Sequence, residues 1–76
     1  MPDVTIPAVV DLQLRAIAEK AAGQYPDPLL EALGWTRPDY VAAIHTRLRN
    51  KFRRWCAEGR LVAGPDGQYR ASREAN

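Results

Sequence analysis

The sequence predicts a mainly α-helical domain that closes with a small C-terminal β-hairpin. Its longest periodic stretch, TRPDYVAAIHTRLRNKFRRWCAEG at residues 36–59, keeps a single apolar stripe throughout, as one long helix requires. Two further runs, at 8–22 and 28–33, have helical spacing and end before glycine. After Gly59 the period shortens to alternation in RLVAGPDGQYRAS, which reads as two strands and a turn.

Residues 1–7 hold two prolines and little periodicity, so they are expected to form an extended arm packed through Val4 and Ile6. A first helix follows over 8–22, with Val10, Leu14, Ile17, Ala18 and Ala21 on one side and Arg15, Glu19 and Lys20 towards water. Gly23 marks its end. Gln24 and Tyr25 precede Pro26 and should be extended, with room for a token strand only. Asp27-Pro28 then supplies an N-cap and a first-turn proline for a short second helix over 28–33, which offers Leu29, Leu30 and Leu33 to a core. Gly34 stops it.

The third helix starts at Thr36, which with Asp39 makes a variant capping box, and Pro38 falls in the first turn, where a missing N–H is harmless. Val41, Ile44, Leu48, Phe52 and Trp55 form its core-facing stripe, and Gly59 supplies the left-handed residue after its end. In the hairpin, a two-residue loop at Pro65-Asp66 would leave Leu61 opposite Arg70. A three-residue loop, Pro65-Asp66-Gly67, gathers Leu61, Ala63, Tyr69 and Ala71 on one face and leaves Val62 and Arg70 outside, which is the better set to bury. Residues 73–76 are expected to fray.

With 76 residues, 46% hydrophobic and 26% charged, the chain has material for one small domain, residues 8–72, of modest stability. Its single cysteine, Cys56, rules out an intrachain disulfide and favours a reducing compartment. The opening MPDVTIPAVVDL has no basic n-region and a short apolar run, which predicts neither a signal peptide nor a membrane span, so a cytoplasmic protein is expected. No enzymatic chemistry is indicated: one serine, one histidine and one cysteine stand in no nucleophile motif, and there is no phosphate loop. No cofactor or metal is expected, because His45 has no second histidine to join it in a zinc set and reads as a packed or half-exposed structural residue. Cys56 reads as a small buried residue.

Charge is distributed unevenly. From Arg37 to Arg60 seven basic residues stand against two acidic ones, a local charge of +5 in a chain whose net charge is +2. The remainder therefore sums to −3. A basic arc beside an apolar stripe is the electrostatic pattern expected of a nucleic-acid-binding helix.

The segments LLEALGWTRPDYVAAI and EGRLVAGPDGQYRAS, taken with the order of the elements, resemble the winged helix-turn-helix family over roughly residues 8–72. The first is similar to that family's helix-turn-helix core and the second to the end of its third helix and its wing. Two departures stand out. The third helix is about two turns longer than is usual, so that it either kinks near Asn50 or projects past the core. The wing tip, Pro65-Asp66-Gly67, carries an acid where a basic residue would suit phosphate better.

The resemblance implies double-stranded DNA as partner and a role as a small transcriptional regulator or an excisionase-like accessory factor. It implies that Arg37, Tyr40, Ala43, Thr46, Arg47 and Asn50 are outward positions near base edges, and that Arg49, Arg53, Arg54 and, on the wing, Arg70 contact phosphate. A homodimer through the first helix or the arm would supply a second half-site. The reading from another class is a protein-interaction module that docks its basic helix on an acidic partner and anchors it with Trp35 and Tyr40.

Overall fold

The computed structural model describes residues 5–72, so the expectations for Val4 and for residues 73–76 lie outside the described residues. Three helices are followed by an antiparallel hairpin: α1 (Ala8–Ala22), α2 (Asp27–Ala32), α3 (Arg37–Ala57), β1 (Leu61–Ala63) and β2 (Tyr69–Ala71). Among the described residues no helix is long and apolar enough to cross a membrane.

The helix boundaries follow from local hydrogen bonding. Thr36 accepts a bond from the Asp39 amide at 3.3 Å, so the side chain named from sequence does start α3. The end of α3 is a Schellman motif, with Gly59 N–H to the Cys56 carbonyl at 3.1 Å and Arg60 N–H to the Trp55 carbonyl at 2.8 Å. That closure needs a left-handed residue, and Gly59 supplies it at φ +76°. Gly34 and Trp35 close α2 by the same pair of bonds, onto Glu31 at 3.0 Å and Leu30 at 2.8 Å.

Two details around α2 differ from the sequence reading. The helix begins a residue early, with Pro26 at the N-cap, and the Pro26 carbonyl accepts from Leu29 and Leu30 at 3.0 and 3.2 Å. Asp27 therefore caps nothing, and its carboxylate is free to serve another element. Residues 23–25 form a turn instead of a token strand, because the Gln24 and Tyr25 amides turn back onto the carbonyls of Ala21 and Ala22.

Packing is dominated by α1 against α3, with the hairpin set on the C-terminal half of α3. The buried apolar residues are Val10, Ala18 and Ala22 from α1, Leu30 from α2 and Phe52 from α3. This core is smaller than the apolar periodicity predicts. Ile17, Leu29 and Leu33, expected inside, are 53%, 42% and 63% exposed, because the short α2 buries only its Leu30 edge and the small side chains Ala18 and Ala22 fill the α1 contact in place of Ile17. On α3 the stripe is graded: Phe52 is buried, while Val41, Ile44, Leu48 and Trp55 are half-buried. Phe52 meets Tyr69 of β2 edge to face at 4.9 Å, which joins hairpin to helix.

The hairpin adopts the three-residue loop. Leu61 pairs with Ala71, Val62 with Arg70 and Ala63 with Tyr69, and the Gly64 amide bonds the Gln68 carbonyl at 2.7 Å. Pro65, Asp66 and Gly67 make the loop, with Gly67 at φ +79°. Leu61 and Tyr69 turn inward and are half-buried, whereas Val62 and Arg70 stay exposed.

Candidate nucleic-acid interface

The ten residues nominated from sequence separate into two groups once their partners are known. Arg37 belongs to the framework. Its guanidinium donates from Nη1 to the Ala22 carbonyl at 2.6 Å, from Nη2 to the Tyr25 carbonyl at 2.6 Å, and from Nε and Nη2 to Asp27 Oδ1 at 3.0 and 2.6 Å. Each contact suits the charge of its element: the cation adds a second donor to the Ala22 carbonyl, which already accepts from the Tyr25 amide at the negative end of α1, and Asp27 lies in the first turn of α2. One arginine thus ties the start of α3 to the end of α1 and the start of α2.

Tyr40 is also committed to the framework. Its ring lies edge-on to Tyr25 at 5.7 Å and to Trp35 at 5.5 Å, forming an aromatic cluster over the α2–α3 turn. Arg49 reaches toward α1 with its Nε while the side chain stays 41% exposed: Nε lies 3.3 Å from Asp11 Oδ1, within ion-pair range although the buried N–H makes no hydrogen bond there. The same carboxylate oxygen stands 2.9 Å from His45 Nε2. His45 is accordingly a packed residue, as its position in the sequence suggests. At one turn's separation, His45 and Arg49 share one α1 acid.

Of the remaining α3 residues, Thr46, Arg47, Asn50 and Arg54 are exposed. Arg47, Asn50, Lys51 and Arg54 line a shallow groove of about 470 Å³ whose floor is Ile44 and Leu48. Their spacing explains the cluster: positions 47, 51 and 54 are one helical turn apart in succession and stack along one face. Among the described residues neither Arg47 nor Arg54 has an ion-pair partner, so their charges are uncompensated. Lys51 lies over the Trp55 ring at 4.7 Å and Arg60 over the same ring at 4.5 Å, which fixes two cations at the C-terminal end of the helix. Thr46 is exposed and Ala43 half-buried. Arg53, half-buried, lies beside the groove, with Nη1 3.5 Å from Asn50 Oδ1.

Lys51 is the residue missing from the sequence nomination. Its spacing from Arg47 and to Arg54 is legible in the sequence, whereas its contact with Trp55, a residue of the apolar stripe, is visible only in the folded chain. The hairpin residue Arg70 is exposed yet not free: its Nη2 pairs with Asp66 Oδ2 at 2.8 Å, and its Nη1 lies 3.4 Å from Oδ1. That guanidinium, with the Gln68 amide, holds the Asp66 carboxyl below the usual carboxylate range. The acid at the hairpin tip therefore neutralises the hairpin's own cation.

The described residues contain no group of histidine, cysteine, aspartate and glutamate side chains arranged to hold a metal ion. No protein-family model matches the chain, and no curated protein or solved structure matches it.

Proposed function

We propose that this chain is a winged helix-turn-helix protein that binds double-stranded DNA through the middle and C-terminal half of α3, acting as a small transcriptional regulator or an excisionase-like accessory factor. The observation that carries the reading is the uncompensated cationic groove of Arg47, Lys51 and Arg54, with Asn50 among them. Unpaired cations on an exposed helix raise the local phosphate concentration and release counterions on contact. Arg47, Lys51, Arg54 and Arg53 supply phosphate contacts, while Asn50 and Thr46 stand where a base edge is within reach of a donor and an acceptor.

The interface lies further along the helix than the family likeness implies. Arg37, Tyr40 and Arg49 hold the domain together, so the contact begins a turn or more past the start of α3. Helix length is thereby accounted for: the additional turns carry the groove.

Titrating a labelled random duplex at several salt concentrations tests the reading. Four phosphate contacts correspond to a slope of log affinity against log salt of about −3 to −4. Arg47→Glu combined with Arg54→Glu is expected to abolish binding while leaving the fold intact. A flat salt response, or full affinity in that double variant, overturns the proposal.

The half-buried Ile44 and Leu48 on the groove floor favour one other reading, an acidic amphipathic partner that seats its apolar residues between the cations. Binding of such a partner in nuclease-treated lysate, with no duplex binding at low salt, would put it first.

A further inference from the structure

We propose that Asp66 is an affinity-setting residue of the wing, which holds Arg70 away from the DNA backbone and so limits sequence-independent binding. The proposal rests on the DNA-binding reading above. Three observations on the hairpin carry it.

First, the geometry is that of a fork on a carboxylate. Arg70 Nη2 is 2.8 Å from Asp66 Oδ2 and Nη1 is 3.4 Å from Oδ1, so both ends of the guanidinium edge face the acid. A phosphate takes an arginine through the same edge, and the carboxylate therefore occupies the position a DNA phosphate would use.

Second, the loop is shaped around the folded-back side chain. A Cβ built on Gly64 would stand 2.6 Å from Arg70 Nη1 and 3.0 Å from Asp66 Oδ1. With no side chain at position 64, the guanidinium lies across the start of the loop, and a Cβ there would displace it. The Asp66 carboxylate is fixed from the other side by the Gln68 amide, which donates to Oδ1 at 3.0 Å.

Third, the pair is on the surface, with side-chain exposures of 60% for Arg70 and 50% for Asp66. Exposed pairs are weak and screened by salt. Strand register keeps Arg70 on the outer face with Val62, away from the Leu61 and Tyr69 side that meets α3. Nothing else among the described residues competes for the cation. Removing one negative charge is therefore enough to present Arg70 to phosphate.

Asp66→Asn is the informative change, because the asparagine carbonyl oxygen keeps the bond from the Gln68 amide while the charge is lost. Affinity for a random duplex is expected to rise about three- to tenfold at low salt, with the salt slope steeper by about 0.9, the value of one added phosphate contact. The same change made in an Arg70→Gln background is expected to alter affinity less than twofold. Random-duplex titrations of the four proteins separate the outcomes. Wild-type binding with no gain in Asp66→Asn overturns the role of Asp66 and leaves the α3 interface standing. A gain that persists in the Arg70→Gln background assigns the effect to general repulsion between Asp66 and DNA and also overturns it. No duplex binding by the wild type at low salt removes both readings together.

Discussion

Asp11 on α1 and His45 on α3 meet across the main helix contact, with Oδ1 2.9 Å from Nε2. The same oxygen serves Arg49 at 3.3 Å, so one carboxylate anchors two successive turns of α3. Asp11→Ala is expected to lower stability by about 1–2 kcal/mol, in line with loss of a partly buried, charge-assisted contact. In a domain this small, that corresponds to a fall in Tm of roughly 5–15 °C. Asp11→Asn should recover part of the loss, since the amide oxygen still accepts from a ring N–H. A thermal melt followed by far-ultraviolet circular dichroism reads this, and unchanged melting in Asp11→Ala would refute the anchoring role.

Arg37 should behave as a structural residue despite its place in a basic helix. Its fork reaches two carbonyls and one carboxylate at once. Lysine cannot reproduce that planar set of donors. Arg37→Lys is expected to cost about 1–2 kcal/mol of stability, while duplex affinity measured well below its Tm stays within about twofold of wild type. A large affinity loss in a fully folded Arg37→Lys protein would return this residue to the interface.

Phe52 is the largest buried side chain of α3 and the contact on which the hairpin rests. Phe52→Ala should remove about 3–4 kcal/mol. A small domain with few buried residues has little stability to lose, so the variant should be largely unfolded at room temperature. Urea denaturation measures it, with Tyr69→Ala expected to be milder because its ring is only half-buried. Equal, small losses in both variants would mean that the hairpin is held by something else.

Cys56, expected from sequence to be buried, is only half-buried, and that partial burial pushes its thiol above the usual thiol range. Little thiolate is then present near neutral pH, and thiolate is the reactive form. Alkylation by iodoacetamide at neutral pH should proceed several-fold more slowly in the folded protein than in the urea-unfolded chain, as followed by mass spectrometry. Faster labelling in the folded state would instead place an activating group beside the sulfur.

The Asp66 carboxyl, held low mainly by Arg70, is ionised over a wider range folded than unfolded. Its favourable contribution is present above the unfolded carboxylate range and fades as pH falls through the folded one. Carbon-detected NMR titration should find its midpoint lower than that of an unpaired aspartate, and Arg70→Gln should move it upward. A midpoint insensitive to Arg70→Gln would break the link between the two groups.

Local signals in the chain were sufficient to locate the elements. Gly59, Gly34 and Thr36 set the helix ends through bonds that reach no more than five residues, and the three-residue loop was legible from which strand residues share a face. These features depend on neighbours along the chain, so the sequence by itself determined them.

Tertiary contact decided what each side chain is used for. Periodicity could show that Arg37, Arg47 and Arg49 lie on a basic helix, yet only the placement of the Ala22 carbonyl and of Asp11 showed that two of the three have partners within the domain. The apolar residues followed the same rule: Leu29, Leu30 and Leu33 are alike in sequence, and the docking of a helix six residues long buries one of them. A charge or an apolar group acquires its role from what lies opposite, and at separations of ten to thirty-four residues that is settled only when the helices pack.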